Sequence, residues 1–245
     1  MAGQDNRVII VTGASRGLGR TIALRFGIAG ARTVVNYLER QQDAIAVADS
    51  ITEQGGEALA LQADVRKGPM VDAMIDEVVK RWGTVDVLVN NAGIIRDGLA
   101  VRMSEQEWED VLSTNLTGPF HCIRSASRAM MRQRSGHIIS LASLTGMQGR
   151  AGQANYSAAK AGLIGLTRAT AREMGRFNIK ANAVLPGYLA TEMGSSVSGS
   201  LRSRVSEENT LGRASTQDEV AEFIYHLSLM NNVSGQVFNL DSRII

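Results

Sequence analysis

Apolar residues along this chain fall in short dense runs, separated by longer stretches of mixed character. Runs such as VIIVT and DVLVN carry no alternating polar residues, the pattern of parallel strands buried on both faces. The longer stretches between them have helical patterning. In order, the pattern predicts a strand over Arg7–Thr12 and a helix over Gly17–Ala29, then a strand at RTVVN and a helix over Gln41–Gln54. EALALQAD precedes a helix over Pro69–Arg81, and VDVLVN precedes a helical region from Ser104 to Arg132. GHIISLAS leads into a helix over Asn155–Met174, and IKANAVLP is the sixth strand candidate. A helix over Asp218–Leu229 and a strand at GQVFNL close the pattern.

Strand–helix alternation of this kind implies right-handed βαβ units. The expected fold is α/β: a doubly wound, seven-stranded parallel sheet with helices on both faces. The length agrees, since 245 residues without a linker, repeat or low-complexity tract suit one domain over 1–245. Lys plus Arg is 26 and Asp plus Glu is 24, a net charge of +2. That balance is too small to argue for a nucleic-acid partner. The single cysteine, Cys122, can form no intrachain disulfide and is expected in the core of a helix. No apolar run approaches the ~20 residues of a membrane span, and MAGQDNRVII has no long apolar leader region. A soluble, cytoplasmic protein without a membrane partner is expected.

On such sheets, ligands bind beyond the carboxyl ends of the strands, so the segments after each strand carry the functional signal. The first is TGASRGLGR. Gly13, Gly17 and Gly19 follow a strand and open a helix, spaced G-x-x-x-G-x-G. Glycines there let the backbone approach a diphosphate, and the helix N-terminus supplies amides and partial positive charge. A dinucleotide whose ribose 2′-hydroxyl is free usually meets an acid at the end of the second strand. Here that end carries Asn36 and Tyr37, and Glu39 lies beyond it. Arg16, inside the glycine loop, can pair with a 2′-phosphate, so NADPH is expected over NAD. The alternative for Arg16 is a solvated surface charge. Asp64, in ADV after the third strand, either hydrogen-bonds an adenine amino group or caps the next turn.

After the fourth strand comes NNAG, Asn90 to Gly93, small enough for a cofactor to lie against the strand end. Asn115 interrupts the long helical region, with Gly118-Pro119 close behind, which predicts a local distortion. Ser143 ends the fifth strand. Tyr156 and Lys160 stack one turn apart at the start of the next helix. Alone, such a pair also fits a half-buried tyrosine beside a solvated lysine. No metal is expected.

Taken together, TGASRGLG, NNAG, Asn115, Ser143, the Tyr156–Lys160 pair and Pro186-Gly187 resemble the short-chain dehydrogenase/reductase family, in order and from about Arg7 to Leu240. Within that family, VNNAGIIRDGLAVRMSEQEW, GQANYSAAKAGLIGLTRATARE and NAVLPGYLATEM are similar to bacterial 3-oxoacyl-[acyl-carrier-protein] reductases. The resemblance implies a Rossmann fold, a nicotinamide cofactor and a catalytic tetrad of Asn115, Ser143, Tyr156 and Lys160. It implies cofactor contacts at Gly13, Ser15, Arg16, Gly17, Leu18, Gly19, Asn36, Tyr37, Asp64, Val65, Asn91, Ala92, Gly93, Tyr156, Lys160, Pro186, Gly187 and Thr191. It also implies reduction of a 3-oxoacyl thioester on acyl carrier protein in fatty acid synthesis. The expected assembly is a homotetramer built through the fourth and fifth helices and the C-terminal region.

In the implied mechanism Tyr156 donates a proton to the substrate oxygen. Lys160 lowers the phenol from ~10 toward 7, a shift worth ~4 kcal/mol, and grips the ribose hydroxyls. Ser143 polarises the carbonyl, and Asn115 holds a water that links Lys160 to solvent. Arg134 falls at one of two basic positions by which carrier reductases grip the acidic carrier near the active-site mouth. The second position reads Phe177, with Arg176 one residue earlier. The chain ends NLDSRII where the family commonly has a VDGG-like turn. Thr191–Thr210, rich in serine and glycine, is expected to form a substrate lid. Two other functions stay open: a reductase of a CoA thioester or another ketone, and a non-catalytic nucleotide-binding subunit.

Overall fold

The computed structural model describes residues 5–189 and 207–244. Seven strands form one sheet in the order β3-β2-β1-β4-β5-β6-β7. They are β1 (Val8–Val11), β2 (Arg32–Tyr37), β3 (Glu57–Gln62), β4 (Val87–Asn90), β5 (Gly136–Leu141), β6 (Ile179–Leu185) and β7 (Val237–Asn239). Every pairing is parallel. The chain builds outward from β1 to β3, then returns to place β4 on the other side of β1, with Ile9 opposite Val87. That reversal opens a crevice at the carboxyl ends of β1 and β4, where such folds bind ligands.

The helices are α1 (Gly17–Ile28), α2 (Gln41–Glu53), α3 (Gly68–Trp82), α4 (Glu105–Leu112), α5 (Gly118–Gln133), α6 (Thr145–Gln148), α7 (Ala154–Met174) and α8 (Gln217–Leu227). Successive strand side chains point to opposite faces, so β1 serves two cores. Ile9 and Val11 pack with Ile22, Phe26, Ile51 and Ile224 from α1, α2 and α8. Val8 and Ile10 pack on the other face with Val71 and Ile75 of α3 and Ala126 and Met130 of α5. Leu166, Ala171 and Met174 of α7 extend that second face. Two covered faces are why the strand sequences do not alternate. Cys122 is fully buried on α5, as expected, and burial pushes its thiol up to about 12.

Local chemistry sets the helix ends. α3 has proline in its first turn and ends at Gly83, φ +81, the usual asymmetry of helix start and stop. Reciprocal caps open α4 (Ser104 with Glu107) and α8 (Thr216 with Glu219). The region predicted as one helix over Ser104–Arg132 is broken where Asn115 and the Gly-Pro pair predict a distortion. Ser113–Thr117 form a π-turn between α4 and α5, and the Gly118 N–H reaches back to the Ser113 carbonyl. The four residues of α6 are too few to carry a periodic signal. Of the predicted lid, Thr191 and the residues through 206 lie outside the described residues. No helix among the described residues is long and apolar enough to cross a membrane.

Candidate active site

The glycine loop joins β1 to α1 in the crevice. Gly13 takes φ +62, and a Cβ there would lie 2.9 Å from the Ala92 Cα. A Cβ on Gly19 would lie 2.4 Å from Asn91 Nδ2 and 2.5 Å from the Gly13 carbonyl oxygen. The loops after β1 and β4 therefore meet with no room for side chains. Asn91 Nδ2 donates to the Thr12 and Gly13 carbonyls at 2.9 and 3.0 Å. Thr12 Oγ1 accepts the Asn91 and Ala92 amides at 3.0 and 3.1 Å. α1 starts with no side-chain cap and no acidic residue in its first turn, so its first amides are available to an anion. A floor without Cβ atoms beneath uncapped helix amides fits the diphosphate of a dinucleotide.

Around this loop the predicted contacts divide. Ser15, Gly17 and Leu18 are half-buried in it, and Arg16 is exposed. Asn36 and Tyr37 end β2 as predicted, and both are buried. Asn36 is 2% exposed; it accepts the Gly13 amide at 3.2 Å and donates to the Ala63 carbonyl at 3.1 Å. It buttresses the loop from behind, and Tyr37 is buried in the core. Glu39 lies exposed past the end of β2. Asp64 closes its own turn: its carboxylate accepts the Arg66 amide at 3.0 Å and the guanidinium at 2.7–3.1 Å. Those Arg66 hydrogen bonds hold the carboxyl below its ordinary range. Val65 is buried beside it.

The proposed tetrad gathers beyond β4 and β5. Ser143 lies two residues past β5, accepts the Thr145 amide at 3.2 Å and stands beside the Tyr156 phenol. Lys160 Nζ stands 5.6 Å from the centre of the Tyr156 ring and donates to the Leu141 carbonyl at 2.6 Å. Asn115 is fully buried, and its amide clamps Ile94: Oδ1 accepts the Ile94 N–H at 2.9 Å and Nδ2 donates to the Ile94 carbonyl at 2.8 Å. The expected water-holding side chain is thus already engaged. What the π-turn offers instead is main chain outside the regular helical ladder.

Burial pushes Tyr156 up to about 12; the Ser143 hydrogen bond works against the rise and the Asp97 charge adds to it. Burial likewise pushes Lys160 down to about 8. The phenol thus lies above, not below, its ordinary value, because desolvating a phenolate outweighs what Ser143 offers it. At neutral pH the site holds a protonated phenol beside a mostly charged amine.

Arg134 and Arg176 do come together: an Arg134 guanidinium N–H donates to the Arg176 carbonyl at 3.3 Å. They precede β5 and β6, however, at the amino edge of the sheet. Arg176 lies twenty residues past Tyr156, beyond the far end of α7, so ~30 Å separates them at ~1.5 Å per residue. They do not border the mouth of this chain's own site.

Sequence reasoning missed two anchors. One is Thr12. The other is Asn155, fully buried, which accepts the Tyr156 amide at 2.7 Å and donates to the Arg96 and Glu107 carbonyls at 3.0 and 3.1 Å. Its place at a helix start, next to the tyrosine, was the available signal.

The sequence profile of the short chain dehydrogenase family matches residues 7–201. The chain belongs to this family. As a short-chain dehydrogenase it is an oxidoreductase that works with a nicotinamide nucleotide. The 3-oxoacyl-[acyl-carrier-protein] reductase FabG of Staphylococcus epidermidis is 47% identical over 223 residues, 91% of each chain. The 3-oxoacyl-[acyl-carrier-protein] reductase of a Synechocystis species is 41% identical over 242 residues, 98% of this chain and 97% of the relative. A crystal structure described as a short-chain alcohol dehydrogenase of Sinorhizobium meliloti superposes with a TM-score of 0.91 at 31% identity. It covers 97% of this chain and 96% of its own.

Proposed function

We propose that this short-chain dehydrogenase is an NADPH-dependent reductase of 3-oxoacyl thioesters, presented on acyl carrier protein in fatty acid synthesis. The observation that carries the reading is the Tyr156 phenol beside Ser143, with the Lys160 amine 5.6 Å from the centre of its ring. Its setting supports the substrate: the chain is 47% identical to a protein named for that reaction.

The amides opening α1, with Gly13 to Gly19 and Asn91-Ala92, would hold the diphosphate. Lys160 would hold the ribose, and Pro186-Gly187 the nicotinamide half. Arg16 would pair with a 2′-phosphate, and no acid at the end of β2 opposes it. When bound, the nicotinamide nucleotide supplies a hydride to the keto carbon. Tyr156 gives the proton that the carbonyl oxygen needs, and Ser143 hydrogen-bonds the same oxygen. A phenol at about 12 waits as a donor; holding it as phenolate at pH 7 would cost ~7 kcal/mol. The phenolate left after transfer is stabilised by the Lys160 ammonium. Lys160 and the main chain of the π-turn then offer a path by which solvent returns the proton.

We further propose a homotetramer in the cytoplasm. Trp108 and Phe120, 37% and 43% exposed on α4 and α5, support an assembly through these helices. A second reading, reduction of a free CoA thioester, is favoured by the Arg134–Arg176 pair lying away from the chain's own site. NADPH oxidation with a carrier-linked 3-oxoacyl ester, acetoacetyl-CoA and a ketone panel tests both. The carrier ester should give the highest kcat/KM; preference for the CoA ester supports the second reading, and no thioester turnover refutes both. Tyr156→Phe should lower turnover ~1000-fold with NADPH affinity little changed. Unchanged turnover would remove the proton donor from the mechanism.

A further inference from the structure

The departure at the carboxyl end, Asp241-Ser242-Arg243, builds a clamp on the exit of β6. Gly187 follows that strand at φ +79, and a Cβ on it would lie 2.4 Å from the Asp241 Cβ and 2.8 Å from the Ser215 Oγ. The Asp241 side chain is fully buried. It accepts the Arg243 amide at 2.7 Å, the Arg243 Nε at 2.7 and 2.9 Å and a terminal guanidinium nitrogen of the same residue. The Tyr188 backbone N–H lies close to the same carboxylate. The Arg243 guanidinium lies over the Tyr188 ring, 4.1 Å from its centre, and 3.6 Å from the Glu208 carboxylate. On the far side of the tail, the Thr210 hydroxyl donates to the Ser242 carbonyl at 2.7 Å. One arginine thus neutralises the carboxylate packed against Gly187 and covers the ring of the next residue, Tyr188.

We infer that Arg243 is a positioning residue for the nicotinamide half of the cofactor, acting through Asp241 and Tyr188 to fix the Gly187-Tyr188 main chain. The inference rests on the reading that Pro186-Gly187 hold that half. Removing the guanidinium leaves a buried carboxylate without its cation, which structures tolerate poorly. Tyr188 then loses its ring cover, and the side chain packed against Gly187 loses the partner that fixes it. A glycine pair at Ser242-Arg243 would supply neither.

The test separates the two halves of the cofactor. Dissociation constants are measured for NADPH by nicotinamide fluorescence, and for 2′,5′-ADP and ADP-ribose, which lack nicotinamide, by calorimetry. Arg243→Met should weaken NADPH roughly tenfold and leave both fragments within about twofold. Arg243→Lys, which keeps the charge, should recover part of the loss. So should Asp241→Asn with Arg243→Met, because asparagine fills the same place against Gly187 without a stranded charge. Melting curves check folding, and if Arg243→Met fails to fold, Arg243→Lys carries the same comparison at smaller amplitude. Equal weakening of NADPH and fragments, or no weakening of NADPH, overturns the proposal. Wild-type protein that binds the fragments but gains nothing from nicotinamide would overturn the site reading beneath it.

Discussion

Replacing Gly19 with alanine puts one methyl group into the tightest approach of the cofactor loop. The new Cβ would stand 2.4 Å from Asn91 Nδ2, 2.5 Å from the Gly13 carbonyl oxygen and 3.0 Å from the Ala14 Cα. Two of these partners are main chain and cannot rotate away. The third is tied to the Thr12 and Gly13 carbonyls. Relief requires the loop after β1 to part from the loop after β4. That breaks two hydrogen bonds worth ~1 kcal/mol each and adds ~1–3 kcal/mol of overpacking. Gly17→Ala is the control. Gly17 has φ +53 with nothing within 4 Å of its would-be Cβ, so alanine there meets only left-handed backbone strain of ~1–2 kcal/mol. The control carries backbone strain and no clash, so any excess loss at Gly19 is a lower bound on the contact. Urea denaturation gives the stabilities, and NADPH titration reads the loop. Gly19→Ala should cost at least ~1 kcal/mol more than Gly17→Ala and bind NADPH at least ~10-fold more weakly. Equal stability losses, or undisturbed binding, would refute the claim that these loops meet through a missing Cβ.

The alkaline limb of the reduction should belong to Lys160. Its ammonium, pushed down to about 8, is charged below that pH and lost above it, while Tyr156 at about 12 stays protonated. The kcat/KM profile should fall ~10-fold per pH unit above ~8; a level profile to pH ~10 would contradict the assignment. Arg16→Ala should weaken NADPH ~10-fold more than NADH, measured as the ratio of dissociation constants. Equal losses would end the case for 2′-phosphate recognition.

The fold was legible because strands buried on both faces leave unbroken apolar runs, as VIIV of β1 and VLV of β4 do. The cofactor loop was legible because only a close main-chain approach explains glycines at Gly13 and Gly19. The distortion at Asn115 was legible from helix propensity, although the engagement of its side chain was not. That depends on Ile94, which no local pattern ties to it. Direction of titration was not legible either. Spacing puts Lys160 beside Tyr156 but says nothing of how dry the pocket is, and dryness decides the sign. Asn36 and Tyr37 occupy the predicted position with side chains turned into the fold. Arg134 and Arg176 illustrate the same limit at larger scale: their pairing follows from adjacent parallel strands, their distance from Tyr156 from the length of α7. The clamp on Tyr188 joins residues from the exit of β6 and from the carboxyl tail, a union only tertiary structure creates.

Cys122, buried on α5, is the only thiol in the sequence. Alkylating agents and peroxides therefore find no thiol on the folded protein, and its turnover is insulated from the thiol redox state of its surroundings. A covalent inhibitor would have to be aimed at a group other than cysteine.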